Sequence, residues 1–279
     1  MSVHFSCTMC GRCCHDLRLP LAVDEAITWL SRGGEVQLFC DAVPWPEEPP
    51  ADNLLAQHRR RRSFAAQCGT LPVRVAVTLV AAFAGPCPHL RADMACGAYE
   101  QRPRVCRIYP AESHPALALD PASKACPPEA WSADRPVLMT EGRLVDAATA
   151  ELIAQSREAD QRDRLAKAYL CAQLGYDTAA LANEGFAVYS PAREALRAAL
   201  EAAQLAAAHS DGSAEPHSPY PWRYVTNRAS TLATLLSIDA PARMADTAPA
   251  GAAPAYLGFF DAEPPEPPEP SELSEPPRA

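Results

Sequence analysis

Apolar and polar positions alternate over residues 73–79, where the chain reads Val-Arg-Val-Ala-Val-Thr-Leu. Such alternation, rich in β-branched side chains, is typical of a β-strand. Residues 144–209 have a different period of apolar positions, because Leu144, Ala148 and Leu152 recur at helical spacing. A helix brings positions three and four residues apart onto one face. This second stretch therefore predicts three or four helices.

Local signals near the N-terminus predict where a shorter helix and a loop begin and end. Asp24 is a residue type that caps helices; residues 25–30 follow it, and Gly33 and Gly34 come after them. Prolines crowd residues 44–50, and proline removes backbone hydrogen-bond donors. We therefore expect a helix over residues 25–30 and an open loop over residues 44–50.

The composition divides the chain into four parts. Residues 1–130 hold ten of the eleven cysteines and predict a small, irregular domain with short helices and strands, stapled by metal. Residues 144–209 predict a mostly helical extension, and residues 210–260 a linker on which residues 222–236 dock as one short element. Residues 261–279 repeat proline and glutamate and predict a disordered acidic tail. The expected fold class is α+β.

Two groups of cysteines are the most informative chemical feature of the sequence. The first group has the form Cys-x-x-Cys-x-x-Cys-Cys, and the second is spread over the next hundred residues. The candidate metal ligands are Cys7, Cys10, Cys13, Cys14, Cys87, Cys96, Cys106 and Cys126. Thiolates at such close spacing select zinc, copper(I) or iron–sulfur centres. Eight thiols are enough for two four-ligand sites, or for one cluster with spare or catalytic thiols left over.

Adjacent cysteines constrain how these sites are built. Neighbouring side chains in an extended segment point to opposite sides, so Cys13 and Cys14 do not easily clamp one ion. They either serve two different metals, or one ligates while the other packs or reacts. The spacing from Cys7 to Cys13 is also like the first three ligands of a bacterial ferredoxin cluster, whose run ends in Cys-Pro. A remote Cys-Pro, at Cys87 or Cys126, is the candidate fourth ligand.

Net charge and cysteine usage narrow the class of protein. Lysine and arginine number 25 against 34 acidic residues, giving a formal charge of −9, which disfavours nucleic-acid binding. No basic segment leads into an apolar one at the start, and the apolar run at residues 75–85 is shorter than the roughly 20 residues a membrane helix needs. We expect a cytosolic protein, where thiols bind metal rather than form disulfides. Cys40, Cys68 and Cys171 are expected to be buried thiols.

Residues 5–14 together with residues 86–110 resemble the CxxCxxCC cysteine-cluster family, described as a putative zinc- or iron-chelating domain. The second stretch carries Arg102-Pro103, Cys106-Arg107 and Tyr109-Pro110 in the order typical of that family, while Ala98 replaces its usual aliphatic residue. The resemblance reaches from residue 5 to about 128. It implies a metal-binding domain. One branch, the flagellin lysine N-methylases, carries an iron–sulfur cluster, which implies an enzymatic alternative.

Basic residues and histidines beside the cysteines are further candidates for contact with a bound metal centre. Arg102, Arg104 and Arg107 flank Cys106 and either donate hydrogen bonds to the sulfur centre or pair with nearby glutamates. His15 and His89 lie close enough in sequence to replace a thiolate.

The sequence therefore predicts a metal-binding protein whose eight cysteines hold an iron–sulfur cluster, with a 4Fe–4S cluster favoured, or zinc, in a structural or redox role. The alternatives are a protein lysine N-methylase-like enzyme and a zinc-stabilised interaction module. That module would hold a protein partner through the basic run at residues 59–62. No catalytic residue is identified, because the phosphate-loop, dinucleotide and nucleophile-elbow motifs do not occur.

Overall fold

The structure is a computed structural model that describes residues 2–210, 215–245 and 254–263. The strands are β1 (Ser2–His4), β2 (Arg18–Leu21), β3 (Val36–Pro44), β4 (Ser63–Cys68), β5 (Leu71–Ala82), β6 (Val137–Thr140), β7 (Arg143–Leu144), β8 (Thr178–Leu181), β9 (Gly185–Tyr189), β10 (Arg223–Thr226), β11 (Ala242–Met244) and β12 (Ala255–Gly258). The helices are α1 (Val23–Ser31), α2 (Leu54–Arg62), α3 (Arg104–Ile108), α4 (Ala147–Arg162), α5 (Arg164–Leu174), α6 (Arg193–Ala208) and α7 (Ala229–Ser237). This mixture confirms the α+β class.

Nine of the described strands form one mixed sheet. Its main path runs β11-β10-β8-β3-β5-β2, while β4 pairs with β5, β9 pairs with β3, and β12 pairs with β9. The centre is the long antiparallel pairing of β3 with β5, which aligns Val36 with Ala81 and Pro44 with Val73. Both strands are buried along most of their length. Near-continuous apolar sequence is what a strand covered on both faces requires.

The strand predicted over residues 73–79 is confirmed as part of β5. The helix predicted over residues 25–30 is confirmed as α1, although it begins one residue before Asp24. Instead of an Asp24 cap, the Glu25 side chain accepts a hydrogen bond from the Ala22 amide at 3.0 Å. The buried Asp163 carboxylate accepts a second one, from the Val23 amide at 2.8 Å.

Helices α1, α5 and α6 pack together against the sheet. Their buried side chains, such as Leu30, Leu170 and Leu200, belong to the same core as Leu38 and Leu79 of the central strands. Two smaller clusters flank this core, one between α3 and α4 and one on the other face of β3. The core therefore draws on residues from both halves of the chain.

Residues 144–209 contain α4, α5 and α6, in line with their helical spacing, and also the strands β8 and β9. Strand β8 runs parallel to β3, with Asp41 opposite Ala180, and β9 runs antiparallel to it. The sheet thus joins the cysteine-rich stretch to the stretch expected to be a helical extension. Their division into two domains stays a prediction.

The C-terminal third carries further elements of the sheet. Residues 222–236, expected to dock as one short element, include strand β10 and most of helix α7. Residues 211–214 and 246–253 of the predicted linker lie outside the described residues, as do residues 264–279 of the predicted tail.

The three cysteines assigned to the interior, Cys40, Cys68 and Cys171, are confirmed as buried. Within the described ranges, no helix is both long and apolar enough to cross a membrane.

One substitution tests whether α6 belongs to the common core. Leu200 is 1% exposed and Leu205, one turn further along the same helix, is 62% exposed. Leu200→Ala is expected to lower the free energy of unfolding by about 2–5 kcal/mol, because it leaves a cavity. Leu205→Ala should change it by less than about 0.5 kcal/mol. Denaturant unfolding of both variants measures the difference, and equal values would place α6 outside the core.

Candidate metal centre

One open cavity of about 510 Å³ brings all eight candidate cysteines together. Four segments supply them: the loop that follows β1, the turn that follows β5, helix α3, and the chain just before residue 128. Cys7 is exposed and the other seven are half-buried. The cavity is lined by Cys7, Cys10, Cys13, Cys14, Cys87, Cys96, Cys106 and Cys126.

Backbone pairing brings the start of the cysteine array to Cys126. Strand β1 pairs with β6, and beyond it the Ser6 amide donates to the Ala130 carbonyl at 2.9 Å. The rings of Phe5 and Trp131 lie 4.9 Å apart, centre to centre. These contacts hold the loop that begins the array against the segment that carries Cys126.

A second set of contacts brings the end of the array to Cys87. The Cys87 amide donates to the Cys14 carbonyl at 2.8 Å. Next to it the Asp16 amide donates to the Gly85 carbonyl at 2.8 Å, and the Gly85 amide donates to the Asp16 carboxylate at 2.6 Å. This short ladder continues the pairing of β2 with β5.

The chain from Cys87 to Cys96 folds back on itself as a tight turn. Leu90 forms an isolated bridge with Cys96, and the Gly97 amide donates to the His89 carbonyl at 2.7 Å. The backbone amides of His89 and Leu90 lie near the Cys87 thiol and lower its pKa, while burial raises it. Amide donors of this kind stabilise a thiolate and orient it.

Cys106 enters the cavity from the short helix α3. It packs with Val105 and Cys87 against the main core. Burial raises the pKa of the Cys106 thiol to about 12, and the nearby Cys87 thiol raises it as well. A thiol in this position ionises only when a positive charge replaces the lost solvation.

Gly11 allows the array to approach the turn at Cys87–Cys96 closely. Its φ angle is +69°, and a Cβ atom placed there would lie 2.7 Å from the Met94 carbonyl oxygen and 3.0 Å from the Leu90 side chain. The Cys14 amide also donates to the Gly11 carbonyl at 3.0 Å. Only glycine combines this backbone conformation with this contact.

The electrostatic neighbours of Cys13, Cys14, Cys106 and Cys126 sort the thiols into two overlapping groups, which meet at Cys13 because Cys13 also raises the pKa of Cys106. Burial raises the pKa of Cys13 to about 12, and the Cys14, Cys126 and Cys7 thiols add to the effect. Burial also raises the pKa of Cys126, with Cys10 and Cys7 as its thiol neighbours. We call these four the first thiol group: Cys7, Cys10, Cys13 and Cys126.

The second thiol group is centred on Cys14. Burial raises the pKa of Cys14, a bond from Cys13 lowers it, and the Cys87, Cys106 and Cys96 thiols raise it again. Its members are Cys14, Cys87, Cys96 and Cys106. The sulfur atoms of Cys13 and Cys14 are 4.0 Å apart. The two adjacent cysteines thus face different sets of partners.

The arginines near Cys106 have different surroundings. Arg102 lines the cavity, lies 3.8 Å over the Tyr99 ring and lowers the pKa of Cys106. Arg104 instead pairs with Asp24 at 3.1 Å and with a second carboxylate of α1. Arg107 is exposed. Arg102 is therefore the arginine that the fold holds beside a candidate ligand.

Both histidines near the cysteines line the cavity. The His89 ring lies 5.1 Å from the Trp29 ring in an edge-on contact, and burial lowers the His89 pKa. A neutral imidazole is the form that ligates metal. His15 and His89 stay candidate ligands beside the eight thiols.

Tyr109 is a contact that the cysteine spacing alone does not identify as part of the site. Its hydroxyl donates to the Cys126 thiol and accepts from the Ala125 amide at 3.1 Å. The Lys124 ammonium lies 5.6 Å from the centre of the Tyr109 ring. The Met9 amide makes a similar contact, donating to the Cys7 sulfur at 3.4 Å.

The basic run at residues 59–62 forms the end of α2, and its side chains are largely paired within the chain. Arg59 forms an ion pair with the buried Asp41. Arg60 pairs with Glu48 at 2.7 Å and Arg62 with Asp160 at 3.5 Å.

The donor set fits a thiolate metal centre, because eight sulfur atoms share one cavity and several receive N–H or O–H bonds. As they stand, no three histidine, cysteine or acidic side chains among the described residues converge closely enough to hold a single ion. Binding one four-coordinate ion would therefore draw the thiols inward.

Comparison with known proteins gives one match. The family model CxxCxxCC, described as a "putative zinc- or iron-chelating domain", matches residues 6–127, a stretch that contains all eight candidate cysteines. The match confirms the resemblance drawn from the cysteine spacing. The search of curated proteins found no match, and neither did the search of solved structures. The resemblance to flagellin lysine N-methylases stays a prediction.

Two glycine substitutions test the close approach of the array. Gly11 and Gly142 both have positive φ, at +69° and +74°, but a Cβ at Gly142 meets nothing within 4 Å. Each alanine variant should lose about 1 kcal/mol of stability from backbone strain. Only Gly11→Ala also pushes the array away from Met94, so it alone should lower the bound metal per chain, by at least about half. Elemental analysis of both purified variants measures this, and equal metal contents would contradict the interpretation.

Proposed function

We propose that this protein binds metal through eight cysteines arranged as two four-thiol centres. The observation that carries the proposal is the convergence of all eight thiols on one cavity from four separate segments. Burial raises the pKa values of Cys13 and Cys106, and the neighbouring thiols oppose their ionisation further. A bound cation removes that opposition, so metal binding and thiol deprotonation are coupled.

The first thiol group favours an iron–sulfur cluster. Its three array cysteines have ferredoxin-like spacing, and the remote Cys-Pro at Cys126 is their neighbour in space. A zinc ion needs four sulfurs within about 2.3 Å of one point, whereas a multinuclear cluster accepts sulfurs that stand further apart.

The second thiol group suits zinc or a second cluster. Backbone amides lie near the Cys87 thiol and lower its pKa, and Cys106 is packed against the core. Such rigid, partly desolvated surroundings are typical of structural centres. An iron–sulfur cluster supplies one-electron chemistry when bound, and zinc supplies a fixed cross-link between loops. We place the protein in a reducing compartment, the cytosol, because its thiols must stay free to ligate.

Metal analysis of single-cysteine variants tests the two-centre arrangement. Cys10→Ser is expected to remove iron and acid-labile sulfide from anaerobically purified protein while the metal of the second group remains. Cys106→Ser should do the reverse, because the two residues belong to different groups. The matched control is Cys171→Ala, which removes a buried thiol of the core outside the cavity and should leave the metal content unchanged.

Three outcomes would contradict the proposal. Wild-type protein that is free of iron, zinc and copper when protected from oxygen would remove its basis. Full metal content in both serine variants would show that these thiols do not ligate. Loss of all metal from either variant would show one shared centre instead of two.

Removal of the metal should loosen the thiol loops and leave the sheet intact. The array and the turn at residues 87–96 make few backbone hydrogen bonds, whereas β3 and β5 form a nine-residue ladder. After anaerobic chelation, amide exchange over residues 7–14 and 87–96 is expected to accelerate about tenfold or more. Exchange in β3 and β5 should be unchanged. Mass-spectrometric hydrogen exchange measures both regions in one sample, and equal acceleration throughout would mean that the sheet also depends on the metal.

A further inference from the structure

A second cavity, of about 280 Å³, lies next to the cavity that the eight cysteines line, here called the thiol cavity. Helices α2, α3, α4 and α5 all contribute to its walls. Tyr109 and Lys124 line both cavities, so the two are separated by little more than these side chains. We call this second space the cationic cavity, for the charges described below.

Lys167 is the most unusual residue of the cationic cavity. It is 4% exposed and lines the cavity wall, and its ammonium group forms no hydrogen bond or ion pair with a described residue. Burial lowers the pKa of Lys167, and the Asp160 and Asp163 carboxylates act on it only at longer range. The two nearby carboxylates are engaged elsewhere. Asp160 pairs with Arg62 at 3.5 Å, and Asp163 accepts from the Val23 amide and from Arg162. A buried ammonium without a partner is costly for a protein to keep.

The other acidic groups of the cationic cavity are also neutralised. Glu112 pairs with Lys124, and Glu25 pairs with Arg104 at 3.4 Å. Arg157, at the exposed rim, only donates to the Ser113 carbonyl at 3.4 Å. Among the described residues, the ammonium and guanidinium groups at this cavity therefore exceed the carboxylates by two.

The His58 imidazole lies among these positive charges, beside a second histidine. The rings of His58 and His114 lie 4.7 Å apart at the cavity wall. Burial lowers the pKa of His58 to about 4, and Arg62, His114 and Arg157 lower it as well. The His58 imidazole is thus neutral at physiological pH and able to donate one hydrogen bond.

Part of the remaining wall of the cationic cavity is apolar, and Thr78, Ser113 and Ser156 add hydroxyl groups to it. Leu21, Val105, Ile108 and Ala111 line it together with the cations. A pocket with an apolar wall and a few convergent polar groups is typical of small-molecule sites. Two uncompensated positive charges beside an apolar wall suit a carboxylate that carries an apolar body.

We propose that the cationic cavity binds a small organic monocarboxylate, with its oxygens held by Lys167 and Arg157 and its apolar part against α3. The Lys167 ammonium supplies a buried point charge, and the Arg157 guanidinium supplies a planar pair of donors. The proposal does not depend on the identity of the bound metal. The bound carboxylate would lie next to the candidate metal centre, because Tyr109 and Lys124 line both cavities.

Calorimetric titration of the full chain with benzoate, benzamide and inorganic phosphate tests this site. Benzoate is expected to bind saturably, and its neutral isostere benzamide at least about tenfold more weakly, because the amide lacks the negative charge that strengthens hydrogen bonds from Lys167 and Arg157. Lys167→Met should weaken benzoate binding by the same factor or more, and Arg157→Gln by about fivefold. Arg197→Gln, which removes one positive charge from the exposed face of α6, is the control and should bind as the wild type does.

Thermal unfolding of the same variants separates binding from folding. Lys167→Met replaces a buried, unpaired charge by an apolar group of similar length, so its Tm should equal or exceed that of the wild type. Arg157→Gln alters an exposed side chain and should also fold. Unchanged benzoate affinity in Lys167→Met, equal binding of benzoate and benzamide, preference for phosphate, or no saturable binding of benzoate by the wild type would each overturn the proposal.

Discussion

The antiparallel pairing of β2 with the end of β5 is the constraint on which the thiol cavity depends. It aligns Arg18 with Ala82, so the residues before β2 and those after β5 must leave the sheet side by side. The Cys14 carbonyl and the Cys87 amide meet as the direct continuation of that ladder. The long β3–β5 pairing in turn anchors β5 in the core. Candidate metal ligands more than seventy residues apart in sequence are thus neighbours because a buried sheet holds them there.

Crowding of the sulfur atoms is the second constraint on the thiol cavity. Burial removes water from thiols such as Cys13 and Cys106, and their neighbours oppose further negative charge. Backbone amides, the Tyr109 hydroxyl and the Arg102 guanidinium counteract this locally. Such donors stabilise thiolates without being ligands themselves. The fold therefore collects thiols and also supplies the polar groups that a sulfur-ligated centre uses.

Short-range patterns in the sequence predicted a good part of this fold. The alternation at residues 73–79 identified β5, and the capping residue type at Asp24 with the glycines at 33 and 34 identified α1. Strands β8 and β9 were missed, because both are short and lie within an alanine-rich stretch whose spacing is helical. Their pairing with β3 depends on contacts more than a hundred residues apart, which a local pattern does not record.

The cysteine spacing identified all eight cysteines that line the cavity, but not how these cysteines are grouped. That grouping depends on β1 meeting β6 and on the turn after β5, and neither has a strong local signal. Gly11 illustrates the same limit. The sequence shows a glycine between two cysteines, and only the approach of the Met94 carbonyl explains why a larger residue does not fit.

Cys13 and Cys14, one from each thiol group, are joined by a single peptide unit, and their sulfur atoms lie 4.0 Å apart. Because that unit is rigid and planar, their Cα atoms keep a fixed separation. In the proposed two-centre arrangement, rearrangement of ligands around one centre would therefore be transmitted mechanically to the other. An insertion of one residue at this junction would move the two thiols apart and uncouple the two centres.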